Sequence, residues 1–267
     1  MNNIIVLGGD SRFYYLCRFL IEEGFSVRWL YAENYPTRES FIERENSAID
    51  NAYAIILPLP LSKNGETLNT PYSEKKVLLS DLNISDKYSV IFTSDNRIEG
   101  INYFENEAVL LDNARLTAVA FLKELLMFDK EDILGKSALV TGYGRVAQSV
   151  SDILMRNGVN VTVCARNEGQ RHLASSRGIK AVKISEAQEN LSHYDYVINT
   201  VPKTVFRKEY IEKASEKTVF FELATGLIER SAGDKITYIE CKGLPGKHLP
   251  KSAGRVIADF ITEKLRE

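Results

Sequence analysis

Three small residues, Gly142, Gly144 and Ala147, form the pattern GxGxxA and carry the most recognisable chemistry of this sequence. An apolar run typical of a buried strand, Ser137 to Thr141, precedes them, and a segment with apolar residues at helical spacing, Val146 to Arg156, follows. Gly142 would permit a tight turn, Gly144 would let phosphate approach the backbone, and Ala147 would let helix and strand pack. The helix would offer N–H groups and a partial positive charge to an anion. The pattern therefore predicts a dinucleotide site. The other residues of the turn are further cofactor-binding candidates: Tyr143, Arg145 and Val146.

The next predicted strand, Asn160 to Ala165, ends at Arg166 and Asn167. NAD-binding proteins usually place an acid at this tip to hold the ribose hydroxyls, and neither residue is an acid. An arginine can instead pair with a 2′-phosphate, and Asn167 would leave room for it, although an exposed arginine is also ordinary at a strand end. The sequence therefore favours NADP over NAD, with Ala165, Arg166 and Asn167 as cofactor-binding residues.

Two later strand ends should complete the cofactor site. The strand Tyr196 to Asn199 stops sharply at Pro202, and such a strand passes along the ribose and nicotinamide in nucleotide-binding folds. The strand Val219 to Leu223 follows it. The additional cofactor-binding candidates are Thr200, Val201, Pro202 and Leu223.

The order of predicted elements indicates an α/β protein with two doubly wound parallel sheets and a cleft between two lobes. The N-terminal lobe should be flavodoxin- or Rossmann-like, and the C-terminal lobe should be an NAD(P)-binding Rossmann domain. In the N-terminal lobe we expect a strand at Ala108 to Leu111, and after it a long helix at Asn113 to Phe128. The predicted boundaries are 1–112 for the substrate domain, 113–130 for a connecting helix, 131–250 for the nucleotide domain and 251–267 for a helix that packs back on the first domain.

Composition narrows the class of partner. The 267 residues include 34 basic and 36 acidic residues, which leave a net charge of −2, and no long run of one sign occurs. Nucleic acid and membrane surfaces are therefore not expected as partners, and a small molecule is. The apolar N-terminal run is too short for a signal peptide, so we expect a cytoplasmic protein. The three histidines, His172, His193 and His248, lack ligand spacing, and no metal is predicted.

Several motifs in order resemble the A subunit of dipicolinate synthase. They run from Gly8-Gly9-Asp10-Ser11-Arg12 through the GYGRVA turn and Glu222-Leu223-Ala224 to Gly243-Leu244-Pro245-Gly246 and Pro250 to Gly254, and they cover nearly the whole chain. The resemblance implies NADP-linked oxidation of a dihydrodipicolinate-type substrate, a flavoprotein partner (the B subunit of that enzyme) and a place in the mother cell of a sporulating bacterium. It leaves a homo-oligomer open. Where the family often has Pro-Thr-x-Glu early in the interdomain helix, this chain has Leu116 to Val119 without a carboxylate, as a divergent member would.

A dicarboxylate substrate needs cations or N–H donors, and its oxidation releases a proton. Arg12, with the helix N-terminus that follows the first strand, could hold a carboxylate, while Asp10 could orient Arg12 or only cap the helix. Lys251, which matches the family, should face Arg12 across the cleft, and it ranks above His248 as a catalytic residue; either could also be an exposed loop residue. The other substrate-binding candidates are Ser11 and three residues expected at strand ends, Thr93, Ser94 and Asn113.

Two other functions remain open. The chain could be a non-catalytic nucleotide-binding subunit that shapes the partner's site, as the missing helix carboxylate favours. It could also be a stand-alone NAD(P)-dependent dehydrogenase of a hydroxy acid or folate, although no His–Glu pair at suitable spacing marks the hydroxy-acid type.

Overall fold

The structure, a computed structural model, describes residues 3–43, 52–82, 90–224 and 236–267. The chain divides into two compact units, of which one comprises Met1–Asn113 with Pro245–Glu267 and the other comprises Ala114–Leu244. Each unit contains one parallel sheet, which confirms the predicted α/β class with two parallel sheets. In the described ranges, no helix is long and apolar enough to cross a membrane.

Most of the predicted strands and helices are present, with ends shifted by up to two residues, except that the helix predicted to start at Asn113 starts six residues earlier, at Glu107. The strands are β1 (Asn3–Leu7), β2 (Ser26–Leu30), β3 (Ala54–Ile56), β4 (Val90–Thr93), β5 (Ile101–Asn102), β6 (Ser137–Thr141), β7 (Asn160–Cys164), β8 (Lys180–Val182), β9 (Tyr196–Asn199), β10 (Val219–Glu222) and β11 (Thr237–Glu240). The helices are α1 (Ser11–Glu22), α2 (Glu107–Asp129), α3 (Arg145–Arg156), α4 (Glu168–Ser176), α5 (Ile184–Glu189), α6 (Lys208–Ile211), α7 (Leu244–His248) and α8 (Pro250–Arg266), with short 3₁₀ turns at Leu79–Asp81, Tyr103–Glu105 and Leu191–His193.

The first sheet has the strand order β2-β1-β3-β4-β5. Successive side chains of a strand point to opposite faces, so β1 sends Ile4 and Val6 into one core and Ile5 and Leu7 into another. Burial on both faces explains why β1 and β3 are nearly continuous apolar runs in the sequence.

Helices α1 and α8 cover one face of the first sheet. Ile257, Phe260 and Ile261 of α8 join the core that contains Phe13 of α1 and Phe92 of β4. The two helices approach closely at Gly254, where an added Cβ would lie 2.5 Å from the carbonyl oxygen of Arg12. Gly254 therefore permits this helix packing, which ties the C-terminal segment to the first unit.

The second sheet has the strand order β11-β10-β9-β6-β7-β8. With its strands renumbered along the chain, this is the doubly wound order 3-2-1-4-5-6 of dinucleotide-binding folds. The order reverses at β6, whose neighbours are β7 and β9. Ligands of such sheets bind at the carboxyl ends of the strands beside this reversal, which here are Thr141 and Asn199.

The strand predicted at Ala108 to Leu111 is wrong, because these residues form the first turns of α2. The Asn106 side chain accepts a hydrogen bond from the backbone N–H of Val109 at 3.1 Å, a contact that satisfies one of the free N–H groups at a helix start. The edge of the sheet is instead the two-residue strand β5. Within α2, Leu116, Ala120 and Leu125 are buried, whereas Val119 and Leu126 are exposed.

Candidate functional site

The glycine turn lies at the carboxyl end of β6, as predicted. Gly142 has φ +74°, its N–H donates to the carbonyl of Cys164 at 2.8 Å, and an added Cβ would lie 2.9 Å from Cγ2 of Val201. Gly142 is therefore required both by its backbone conformation and by the neighbouring turn. Gly144 differs, because it has φ −78° and no heavy atom of the described residues lies within 4 Å of its added Cβ. The open space is thus at Gly144.

Gly144 is also the N-cap of α3, and it supplies no side-chain hydrogen bond to the helix. The start of α3 therefore has the features of an anion site, with backbone N–H groups and the positive end of the helix dipole next to open space. Arg145 is exposed and Val146 is half-buried at this start, whereas the Tyr143 side chain is buried. The Tyr143 carbonyl accepts a hydrogen bond from Nε2 of Gln148 at 3.0 Å. Of Tyr143, then, only the backbone is placed to meet a ligand here.

The tip of β7 carries an exposed Arg166 after a buried Ala165. Asn167, expected to leave room for a phosphate, caps α4 by accepting from the backbone N–H of Gln170 at 3.1 Å. Sequence reasoning missed Arg171, whose Nη1 donates to the carbonyls of Ala165 and Arg166, each at 2.8 Å. The tip therefore holds two arginines, and its backbone is fixed by one of them. The position of Arg171, five residues after Arg166 in the sequence, was the available signal.

The turn after β9 is held to β6 by hydrogen bonds. The Thr200 backbone N–H donates to Oγ1 of Thr141 at 3.1 Å, and its hydroxyl donates to the Thr141 carbonyl at 2.6 Å. Val201 contacts the glycine turn, as its distance to the added Cβ of Gly142 shows, and Pro202 follows it on the exposed side. Three of the predicted cofactor-binding segments, at the ends of β6, β7 and β9, thus lie side by side.

A buried acid, Glu222, ends the neighbouring strand β10 and was missed as a site residue. Its carboxylate accepts from Nδ2 of Asn199 at 2.9 and 3.0 Å and from the backbone N–H of Ala224 at 3.1 Å. Burial raises the pKa of the Glu222 carboxyl above its ordinary value, although these hydrogen bonds oppose the shift. The predicted cofactor residue Leu223 comes next and donates its backbone N–H to the Asn199 carbonyl at 2.9 Å. A single acid at the end of the apolar run Val219 to Phe221 was the signal for Glu222.

In the first unit, Arg12 and Asp10 form an ion pair. Nε and Nη2 of Arg12 donate to the two carboxylate oxygens at 2.8 and 2.7 Å, and Nη2 also donates to the Leu59 carbonyl at 2.7 Å. Both predicted roles of Asp10 are present, because its carboxylate also caps α1 through the Arg12 backbone N–H at 3.1 Å. Arg12 is only 5% exposed. Its charge therefore already faces a carboxylate of the protein.

Gly246 of α7 packs on this ion pair, where an added Cβ would lie 2.6 Å from Oδ2 of Asp10 and 2.8 Å from Nε of Arg12. His248 ends α7 and is half-buried, and Lys251 is exposed in the first turn of α8. Both belong to the same unit as Arg12, so the prediction that Lys251 and Arg12 face each other from different lobes is wrong.

The polar candidates at the first sheet's strand ends mostly stabilise turns. The Ser11 hydroxyl is 2.7 Å from that of Tyr72, and Ser94 donates to the Pro58 carbonyl at 3.2 Å. Thr93 is fully buried, and its hydroxyl accepts from the Asp95 backbone N–H at 3.0 Å. The placement of Asn113 at a strand end is wrong, because it lies inside α2.

Comparison with known proteins agrees with this geometry. Residues 3–111 match the family model for the N-terminal domain of the dipicolinate synthase A subunit, and residues 132–230 match the one described as acetohydroxy acid isomeroreductase, NADPH-binding domain. The dipicolinate synthase A subunit of Bacillus subtilis is 24% identical over 288 residues, covering 99% of this chain and 96% of that protein.

Solved structures show the same fold. The crystal structure of the dipicolinate synthase A subunit from Bacillus halodurans superposes with a TM-score of 0.87 at 23% identity and covers 100% of this chain and 98% of that one. The corresponding crystal structure from Bacillus subtilis gives 0.79 at 22% identity, with 99% and 96% covered. A transhydrogenase from Sinorhizobium meliloti gives 0.66 at 13% identity, with 98% and 93% covered.

The glycine turn and the match of residues 132–230 make the second unit similar to the NADPH-binding domains of known proteins. The resemblance of the chain to the A subunit of dipicolinate synthase, recognised from the sequence, is confirmed.

Proposed function

We propose that this chain is the NADP-binding subunit of a dipicolinate synthase-type oxidoreductase. It oxidises a dihydrodipicolinate-type substrate to dipicolinate and acts with a flavoprotein partner in the cytoplasm of a sporulating bacterium. The observation that carries the proposal is the open space at Gly144, at the start of α3 and beside the point where the strand order of the second sheet reverses. A dinucleotide fits there, since its pyrophosphate would meet backbone N–H groups, and no side chain of the described residues fills the space at Gly144.

The choice of NADP rests on the tip of β7. Arg166 is exposed there, and Arg171 holds the Arg166 carbonyl, so a 2′-phosphate at this tip would meet positive charge. When bound, the nicotinamide accepts the hydride that leaves the substrate. The turn Thr200 to Pro202, tied to β6 by the two bonds of Thr200, would orient the cofactor's ribose.

The protein's remaining tasks are to bind two carboxylates and to take up one proton. We assign one carboxylate to Lys251, whose exposed ammonium lies in the first turn of α8, where the dipole also favours an anion. His248, three residues earlier, is the candidate proton acceptor, because a neutral imidazole offers a ring nitrogen that can take up a proton. Arg12 acts indirectly here, because its ion pair with Asp10 packs against Gly246 of α7, the helix that ends at His248.

A second candidate is a nucleotide-binding subunit without catalytic residues of its own. The segment Leu116 to Val119 of α2 favours it, because it contains no carboxylate, and so does the pairing of Arg12 with Asp10. In that case the partner subunit supplies the proton acceptor, while this chain supplies the cofactor.

Reconstitution tests both candidates. The purified chain is mixed with dihydrodipicolinate synthase, that enzyme's two substrates and NADP, with and without the flavoprotein partner, and dipicolinate is followed by its ultraviolet absorbance. We expect NADP-dependent product only with the partner present, and none when Gly144→Val replaces the wild-type chain. Turnover by the chain alone would contradict the need for a partner. No product in either mixture, with NADP bound, would refute the substrate assignment.

A further inference from the structure

A continuous chain of buried polar groups joins the ends of three adjacent strands in the second sheet. Thr141 of β6 is fully buried, Asn199 of β9 is 2% exposed, and Glu222 of β10 is 1% exposed. The Thr141 hydroxyl donates to Oδ1 of Asn199 at 2.6 Å, and Nδ2 of Asn199 donates to both oxygens of Glu222 at 2.9 and 3.0 Å. Burying several polar side chains together costs folding free energy unless all of them are hydrogen-bonded. This row of hydrogen-bonded side chains therefore calls for a functional explanation.

Glu222 determines which way the Asn199 amide points. An ionised carboxylate only accepts hydrogen bonds, so it must face Nδ2, and Oδ1 must then face the opposite side. In that orientation Oδ1 accepts from the backbone N–H of Val201 at 3.2 Å, while Nδ2 also donates to the Val201 carbonyl at 3.1 Å. One side-chain amide thus holds both backbone groups of Val201, the residue that contacts the glycine turn.

We propose that ionised Glu222 is a positioning residue for the turn Thr200 to Val201, and that the turn loses this geometry when Glu222 takes up a proton. A protonated carboxyl becomes a donor at one oxygen, so it can no longer offer both oxygens to Nδ2 of Asn199. Dinucleotide affinity therefore falls as the pH falls through the titration of Glu222. The inference rests on the proposed function, because it assumes that this turn contacts the cofactor.

Among the described residues, few groups face the Glu222 carboxylate. They are the Asn199 amide, the Ala224 backbone N–H and the Tyr238 hydroxyl of β11, which lies 3.5 Å from Oε2. Lys242 acts through its charge, and its ammonium is paired with Glu240 at 3.1 Å. Burial outweighs these favourable contacts and raises the pKa, so the titration lies closer to neutral pH than that of an exposed glutamate.

The test begins with the protein without nucleotide. The backbone amide signals of Thr200 and Val201 are followed by NMR in protein labelled with ¹⁵N-threonine and ¹⁵N-valine, over a pH series from 8 to about 5. We expect both signals to shift with one shared pKa above the ordinary value of glutamate. Glu222→Gln should abolish the shift, because the amide does not titrate. Glu240→Gln, which removes a carboxylate from the adjacent strand end, should keep it. Signals that do not titrate, or that titrate alike in Glu222→Gln, would overturn the proposal.

The second arm measures binding of NADPH and NADH by calorimetry over the same pH series. NADH is included because it lacks the 2′-phosphate of NADPH, a group that itself titrates at about pH 6. We expect both affinities to fall at least fivefold in the wild type and in Glu240→Gln, and to be uniformly low in Glu222→Gln. If the amides titrate as expected but neither dinucleotide binds at any pH, the proposed function fails, and with it the claim about affinity, while the coupling of Glu222 to the turn stands. Binding by the wild type that does not change with pH would refute the claim about affinity alone.

Discussion

Replacing Gly144 with valine should weaken binding at the proposed nucleotide site while leaving the fold nearly as stable as before. The backbone at Gly144 has φ −78°, which any L-residue adopts, and within the part of the chain that the structure describes no heavy atom lies within 4 Å of the added Cβ. Two small effects oppose each other. A side chain restricts the unfolded chain and stabilises the fold by about 0.4 to 1 kcal/mol, whereas valine is a poorer N-cap than glycine by a similar amount. We therefore expect the free energy of unfolding to change by less than about 1 kcal/mol.

Binding should respond much more strongly. The valine methyl groups would occupy the space through which a pyrophosphate approaches the N–H groups of α3. We expect at least a hundredfold loss of NADPH affinity, which corresponds to about 2.7 kcal/mol. Calorimetric titration gives the affinity, and urea denaturation gives the stability of the same preparation. A folded variant that binds NADPH as the wild type does would place the nucleotide elsewhere.

Two alanine variants serve as matched controls. Gly142→Ala combines backbone strain at φ +74° with a 2.9 Å contact to Cγ2 of Val201. Gly178→Ala has the strain at φ +77°, and its added Cβ has no neighbour within 4 Å among the described residues. Strain of this kind costs about 1 to 2 kcal/mol, so both should be destabilised. Gly142→Ala should be the less stable of the two because of the added contact. If Gly144→Val loses as much stability as Gly142→Ala, the space at Gly144 is not open, and the reasoning fails.

Four further substitutions test the other assignments. Arg166→Ala should cost about 1 to 3 kcal/mol of NADP affinity with little effect on NAD, measured by calorimetry; equal losses would remove Arg166 as the discriminator. Lys251→Ala should raise the substrate KM in the reconstituted assay without weakening NADP binding. Arg12→Ala breaks a buried ion pair and should lower the free energy of unfolding by on the order of 2 to 4 kcal/mol. The loss stays moderate because the Asp10 carboxylate that is left unpaired is partly exposed. Despite partial burial, hydrogen bonds from Ser137 and the nearby positive charge of a lysine lower the pKa of Asp195. Asp195→Asn should therefore lose stability at neutral pH, and urea denaturation should show it converging with the wild type as acid protonates Asp195.

The nucleotide half of the fold could be predicted because its signals are local. The strands Ser137–Thr141 and Tyr196–Asn199 have the predicted ends, since each is an apolar run bounded by a turn residue a few positions away. Gly142 could be understood in the same way, because a glycine directly after a strand indicates a turn that needs positive φ. Local sequence signals of this kind can be interpreted without knowledge of the tertiary structure.

The misreadings arose where distant contacts or helix capping decide the structure. Ala108 to Leu111 has the composition of a short strand, and only the cap by Asn106 indicates a helix. Glu222 was missed as a site residue because its partner Asn199 lies 23 residues earlier and on another strand. Neither contact leaves a periodic pattern in the sequence.

The contact of Gly246 with Asp10 and Arg12 gives a structural role to two of the motifs that carry the family resemblance. The glycine-rich N-terminal motif and the Gly243 to Gly246 motif, more than 230 residues apart, form one assembly in which a side chain at Gly246 would collide with the ion pair. Arg12 is thereby assigned to holding α1, α7 and the Leu59 turn together, and its charge is balanced by Asp10. A substrate with two carboxylates then needs positive charge from elsewhere. We infer that Lys251 supplies part of it and the proposed partner subunit the remainder, as the proposed two-subunit reaction would require.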